Sequence, residues 1–344
     1  MKKNNTEFEQ FFTDQLNEGE QIGHIIQLVH NHFLLRTEDG IKTAELRGRL
    51  SYEGVYPAIG DYIVYSTSDD GSLNLIERLL ERKTALTRKT AGETSQIQVI
   101  AVNMDYVFIV MALNSDFNVR RLERYMIAAW SSGATPVVVL TKRDLCQDLE
   151  DKLAAIEAMT VGVDVLAISV LEDDNLQVLD AYRQAGKTVA LVGSSGVGKS
   201  TLINYLAGGQ VMKTDGLRND DKGHHTTTYR RLFVTDQGSF IDTPGMRELS
   251  IDDQGQGLDH EFSDIEALSQ ACRFSDCTHK KEPGCAIQKA IDTGELEGDR
   301  YRSYLTLKNE IKHQNKKLAM KEKRLAKTAQ RPKKKPRQKR WQAV

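Results

Sequence analysis

The sequence predicts a multidomain chain: a small closed β-barrel, then an α/β domain with a mostly parallel sheet, then a small, mostly helical module with a basic tail. Three observations carry this reading. From residue 20 to about 84, short runs alternate apolar and polar residues and are broken by Asp39-Gly40 and Asp70-Gly71, both hairpin signals. From about residue 105, strand-like and helix-like stretches take turns, the pattern of a parallel sheet covered on both faces. After residue 250, three cysteines and a histidine fall within fourteen residues, ahead of a strongly basic end.

Each part follows in order. Residues 1–19 place Phe8, Phe11, Phe12 and Leu16 at helical spacing, which predicts a short amphipathic docking helix. Residues 20–84 hold about five strands, enough for an OB-fold-like barrel. "RKTALTRKTA" (82–91) reads as a basic linker. The α/β domain spans 85–250. Its strands are "DYVFIVMAL" (105–113), "PVVVL" (136–140), "VDVLAISV" (163–170), "TVALVG" (188–193), "RRLFVT" (230–235) and "SFID" (239–242). One helix places Leu122, Tyr125, Met126, Ala129 and Trp130 on a common face; "LEDKLAAIEAM" and "KSTLINYLAG" supply two more. Residues 251–307 form the Cys/His module and 308–344 the basic tail.

Composition and charge narrow the function classes. At 344 residues the chain exceeds one typical core. No apolar run approaches the ~20 residues of a membrane helix, and no signal-peptide core follows Met1. Four cysteines are too few for a disulfide scaffold of this size, so a cytoplasmic protein is expected. From Lys308 to Arg340 fifteen lysines and arginines face two acids, a net of +13; with the whole chain at −1, the rest carries −14. Such polarity suits an arm that seeks a polyanion, although a solvated helix would show the same charge.

The chemistry sits at strand ends, where parallel sheets bind ligands. Gly193-x4-Gly198-Lys199-Ser200 has a strand before it and a helix after it, as a phosphate-binding loop requires. Across Gly193, Ser194, Ser195, Gly196, Val197, Gly198 and Thr201 the backbone can turn its N–H groups toward phosphate oxygens, and the helix N-terminus adds positive charge. Lys199 can reach the β- and γ-phosphates and the Ser200 hydroxyl can ligate Mg²⁺. "FIDTPG" supplies Asp242 for the metal and a Gly245 N–H for the γ-phosphate; "HHTTTYR" offers Thr227 as a further Mg²⁺ ligand from a switch loop.

"TKRD" (141–144) reads the base. Asp144 can accept from the N1–H and 2-amino group of guanine, a donor pair that adenine lacks, and the Lys142 stem can pack over the purine. Arg143 lies between them, and Ser169 fits the other base-side loop. Thr141 replaces the usual Asn, whose side chain would brace neighbouring loops, and so weakens the match. Base reader, serine loop, phosphate loop, threonine switch and Asp-x-x-Gly switch form a P-loop GTPase set in circularly permuted order. Cys272-x4-Cys277-x-His279-x5-Cys285 offers a closed tetrahedral Cys₃His set for one structural Zn²⁺, although three free thiols beside a surface histidine would read the same way.

These motifs, with the barrel before them, resemble the ribosome small-subunit-dependent GTPase family (RsgA, also YjeQ or YloQ) over nearly the whole chain. The resemblance implies a GTP hydrolase that binds the small ribosomal subunit, acts late in its assembly and is stimulated by it. It also implies a zinc module at this spacing. Barrel, module and tail would contact rRNA, with GTP/GDP as ligand, no membrane and a monomeric chain. Met246 stands where many GTPases carry a water-positioning Gln, so His225, directly before the threonines, becomes the candidate catalytic residue; a switch histidine of this kind is proposed in RsgA-like proteins. Two other classes fit parts of the sequence. A P-loop kinase or ATPase is opposed by Asp144. A nucleic-acid-binding protein with a structural nucleotide differs from a GTPase in turnover.

Overall fold

A computed structural model describes residues 7–29, 32–89, 97–157, 159–160, 162–212, 230–243, 256–280 and 282–329. Helix α1 (Glu7–Thr13) precedes strands β1 (Gln21–Val29), β2 (His32–Thr37) and β3 (Gly40–Leu46), the short helix α2 (Gly48–Tyr52), then β4 (Tyr62–Thr67) and β5 (Asn74–Leu79). β1 pairs with both β2 and β4, while β3 runs parallel to β5, so the five strands close in the order β1-β2-β3-β5-β4. Closure removes the open edges that a small sheet would otherwise expose. Ile25, Leu35, Ala44, Ile63 and Ile76 fill the interior. Phe12 of α1 is fully buried, stacked on Tyr62 at 3.9 Å and packed with Val64 and Leu80.

The segment read as a linker contains a strand. β6 (Ala85–Lys89) pairs antiparallel with β7 (Ile97–Val102), and Leu86 is buried between barrel and α/β sheet residues. Its lysines and arginines mask a Leu-Thr alternation that suits a strand once a partner is present.

The α/β part comprises β8 (Tyr106–Ala112), α3 (Val119–Ser131), β9 (Thr135–Thr141), α4 (Leu149–Glu157), β10 (Val165–Ala167), β11 (Thr188–Val192), α5 (Lys199–Leu206), β12 (Arg231–Thr235) and β13 (Gly238–Asp242). Strand order is β10-β9-β8-β11-β13-β12, with β12 antiparallel and the others parallel. β10 is shorter than the sequence suggests, because Ser169 bridges to Asp174 and turns the chain. β12 continues the sheet into the barrel through the Gln27–Arg231 pair of β1. The bidentate Arg82–Asp61 pair (2.7 Å each) and the bond from Asn103 Nδ2 to the Gly60 carbonyl (2.9 Å) tie the segment after β5 and the end of β7 to the β4 entry.

Among the described residues four helices follow: α6 (Gln256–Glu261), α7 (Ser263–Gln270), α8 (Ala286–Thr293) and the long α9 (Gly298–Ala329). Leu258, Phe262, Ile265, Ile287, Tyr301 and Tyr304 form their core, which Ile127 of α3 joins. α9 is buried at intervals as far as Ile311; Lys312, His313, Lys316 and Met320 beyond it are exposed. The first part of the basic tail is therefore helical. Among the described residues no helix is long and apolar enough to cross a membrane.

Candidate nucleotide site and metal centre

The candidate phosphate loop starts where β11 leaves the sheet. Gly193 has φ 151°, and a Cβ there would lie 2.2 Å from the Val110 carbonyl oxygen, so only glycine lets the loop pass so close to β8. Gly198, at φ 95°, opens α5, whose first N–H groups have no intrahelical partner and no side-chain cap. Ser195, Ser200 and Thr201 are half-buried around this turn, Gly196 is exposed, and Ser194 and Val197 are buried. Lys199 is 7% exposed and donates to the carbonyls of Gly193 (2.9 Å) and Ser194 (2.6 Å).

Asp242, 2% exposed, ends β13 directly beside the loop, in register with Leu191 of β11. Burial pushes the Lys199 ammonium below its ordinary value and the Asp242 carboxyl above its own, and each charge partly offsets the other's burial. A buried cation and a buried carboxylate at a helix N-terminus can together hold a phosphate and its metal ion. The next residue, Thr243, donates to the Leu191 carbonyl (2.6 Å) and fixes the exit of β13 to the strand that feeds the loop. His225, Thr227 and Gly245 lie outside the described residues.

The base-side residues converge on the same edge. β9 ends at Thr141, Lys142 follows in the left-handed region (φ 59°), and residues 143–145 make one tight turn. Thr141 takes over the bracing that an Asn would supply. Its hydroxyl donates to the Val197 carbonyl (2.6 Å), so a shorter side chain still ties the base-reading segment to the phosphate loop. Ser169 donates to one Asp144 carboxylate oxygen (2.5 Å). The Arg143 N–H donates to the Ile168 carbonyl (3.1 Å), and its guanidinium lies 3.2 Å from Asp174, which joins the two base-side loops. Asp144 itself is exposed at the rim.

Two residues on this edge carry no motif. Asp116, just past β8, pairs with Arg121 (2.9 Å) and lies near enough to favour the charged form of Lys199. Tyr125 of α3 is fully buried, and burial pushes its hydroxyl up to about 12. Helical spacing identifies Tyr125 as a core residue, and it is buried.

Cys272, Cys277, His279 and Cys285 form one cluster, with ligand atoms all within 4.8 Å of one another. The Sγ atoms of Cys272 and Cys285 are 3.9 Å apart, and His279 Nδ1 lies 3.4 and 3.6 Å from them. Bonds of about 2.3 Å to sulfur and about 2.0 Å to nitrogen give tetrahedral edges of about 3.8 and 3.5 Å, so the donor set fits a four-coordinate metal ion. Supporting contacts surround it. The Ala286 N–H points at Cys272 Sγ (3.4 Å) and the Gln288 N–H at Cys285 Sγ (3.5 Å), from the N-terminus of α8. His279 Nε2 meets Ser269 Oγ at 3.4 Å, an outer contact that orients the ring. His260 stands apart, stacked on Trp130.

Known proteins are similar to this chain in sequence and fold. A family model described as RsgA GTPase matches residues 79–252, and one described as 50S ribosome-binding GTPase matches residues 188–326. A Lactiplantibacillus plantarum protein named small ribosomal subunit biogenesis GTPase RsgA 2 is 45% identical over 302 residues, covering 86% of this chain and 85% of that protein. Small ribosomal subunit biogenesis GTPase RsgA 1 of Oceanobacillus iheyensis is 38% identical, covering 93% of this chain and 96% of its own. Among solved structures the fold is similar to YjeQ from Thermotoga maritima, with TM-score 0.64 and 27% identity over 85% of this chain and 98% of that one. It is also similar to YloQ, described as a circularly permuted GTPase, with TM-score 0.61 and 27% identity over 87% and 98%. The permuted order of phosphate and base elements thus has counterparts along most of the sequence, and the chain belongs to the RsgA GTPase family, a family of GTP hydrolases.

Proposed function

We propose that the chain hydrolyses GTP in the service of late small-subunit maturation, binding the small ribosomal subunit and being stimulated by it in the cytoplasm. Relatives 38–45% identical over most of the chain are named small ribosomal subunit biogenesis GTPase, which is the observation that supports the reading most strongly. In this reading residues 193–201 hold the phosphates, Lys199 neutralises their charge, and Gly245 meets the γ-phosphate. Thr141, Lys142, Arg143, Asp144 and Ser169 hold and select guanine. Ser200, Asp242 and Thr227 would hold Mg²⁺, which when bound draws off charge from the phosphate oxygens. His225 accepts a hydrogen bond from the attacking water. The Cys₃His cluster holds one Zn²⁺ that closes residues 251–307 as a folded module.

Exposed basic residues on α9 and the charge beyond it suit contact with rRNA phosphates. The match to a model described by large-subunit binding gives a second partner to test. Sedimentation with purified subunits and a non-hydrolysable GTP analogue distinguishes them. The chain should pellet with small subunits and not with large ones. Removing residues 308–344 should flatten the salt dependence, by about 0.7–0.9 in log–log slope for each phosphate that the tail neutralises. Pelleting with large subunits alone would contradict the proposal.

A further inference from the structure

The base-reading turn leaves the sheet at Thr141 and rejoins regular structure at α4, and one lysine ties its two ends together. At the near end, the N–H of Leu113, just past β8, donates to the Thr141 carbonyl (2.9 Å). At the far end, Lys152 lies in the first turn of α4 and reaches back toward the same residue. Its Nζ donates to the Leu113 carbonyl (3.3 Å), lies 3.8 Å from Cys146 Sγ and pairs with Asp148 (2.8 Å). The ammonium also stands 5.4 Å from the centre of the Phe117 ring, just before α3. Leu113 therefore holds the start of the turn with its N–H and, through Lys152, the end of the turn with its carbonyl.

The Lys152–Asp148 pair alone would matter little. A Lys–Asp pair four residues apart on a helix surface contributes only slightly, and the Asp148 side chain is 55% exposed. The Lys152 side chain, however, is 18% exposed, and its other neighbours belong to the sheet edge. Leu113 is buried and Phe117 packs against the sheet core. Between the two anchors the chain carries Asp144, whose carboxylate is exposed at the rim. Two donors on the guanine edge must meet it in good geometry, which requires the carboxylate to be held within about 0.5 Å. Ser169 fixes one of its oxygens (2.5 Å), and the Arg143 N–H fixes the preceding backbone on the Ile168 carbonyl (3.1 Å). Both contacts come from the β10 side of the turn. Lys152 holds the α4 side.

We propose that Lys152 is a positioning residue for guanine recognition, holding Asp144 in place by joining the α4 end of the turn to the Leu113 carbonyl. It acts through the turn and not on the base. Its loss frees one side of the turn and weakens the contacts to guanine, while the phosphate loop stays fixed at the end of β11. The inference rests on reading residues 141–144 as the base site, and its test keeps the two ideas separable.

Inosine diphosphate is the probe, because hypoxanthine keeps the N1–H of guanine and lacks the 2-amino group. The full-length protein should bind GDP about ten- to a hundred-fold more tightly than inosine diphosphate, the worth of one hydrogen bond to a charged acceptor. Lys152→Met keeps the apolar stem and removes the ammonium. It should weaken GDP binding about ten-fold and lower the GDP-over-inosine ratio at least about three-fold, since GDP loses two well-placed contacts and inosine diphosphate one. A loss of stability alone would weaken both nucleotides equally and leave the ratio unchanged. Lys152→Arg retains a donor long enough to reach the Leu113 carbonyl, and should restore the ratio to within about two-fold of the unsubstituted protein. A ratio unchanged in Lys152→Met, or lowered as much in Lys152→Arg, overturns the positioning role and leaves the base site standing. Equal binding of the two nucleotides by the unsubstituted protein overturns the base-site reading and this inference with it.

Discussion

Asp144→Asn should exchange guanine for xanthine preference, lowering GTP affinity on the order of 10²- to 10³-fold and raising that for xanthosine triphosphate. Two hydrogen bonds to a charged acceptor are at stake, each worth about 1.5–3 kcal/mol. The structure says how the new amide would be oriented. Ser169 donates to one Asp144 oxygen at 2.5 Å. In the variant that hydroxyl retains the amide oxygen, which turns the NH₂ toward the base. Guanine then meets donor with donor, whereas the 2-carbonyl of xanthine accepts. Competition binding with the two triphosphates reads the exchange directly. Unchanged GTP affinity would remove residues 141–144 from the base site.

Replacing Cys272 and Cys277 together by Ser should abolish metal binding and unfold the helical module while leaving the α/β sheet folded. The same cluster that brings three sulfurs and an imidazole together supplies hydrophobic packing: Cys285 is in the module's core, with Cys272 and Cys277 against it. Structural zinc contributes about 10–16 kcal/mol of apparent binding energy in small domains, more than a core of this size can replace. Metal analysis should fall from one Zn²⁺ per chain to none. Hydrogen exchange should rise across α7, α8 and the first half of α9 and stay low in β8, β9 and β11. Retained metal in the double variant would show the ligand assignment to be wrong.

Much of this is legible in the sequence because the nucleotide motifs combine rigid spacing with special residues. Gly193 is a glycine because the Val110 carbonyl leaves no room for a Cβ, and such a requirement leaves a readable mark. Alternation and Asp-Gly turns are likewise enough to place five barrel strands. Long-range polar partners leave no such mark. Glu123 sits on a helix amid arginines, yet it is 2% exposed because α9 brings Ser303 to it from 180 residues away. Thr141 reads as a departure from the usual Asn, and only the position of the Val197 carbonyl shows that its hydroxyl suffices. β6 is hidden in the sequence because its partner strand, not its own composition, makes it a strand. The roles of His225, Thr227 and Gly245 rest on sequence alone, outside the described residues.

The most direct test is steady-state GTP turnover by the full chain, alone and with equal amounts of small or large subunits. Free turnover should be slow, on the order of 10⁻⁴ to 10⁻² s⁻¹ as for unassisted GTPases. Small subunits should raise it at least roughly ten-fold, which corresponds to about 1.4 kcal/mol off the barrier, and large subunits should not. His225→Ala should lose most of that stimulated rate while retaining GTP affinity. Turnover that is unchanged by small subunits, or raised equally by large ones, would contradict a small-subunit-dependent GTPase.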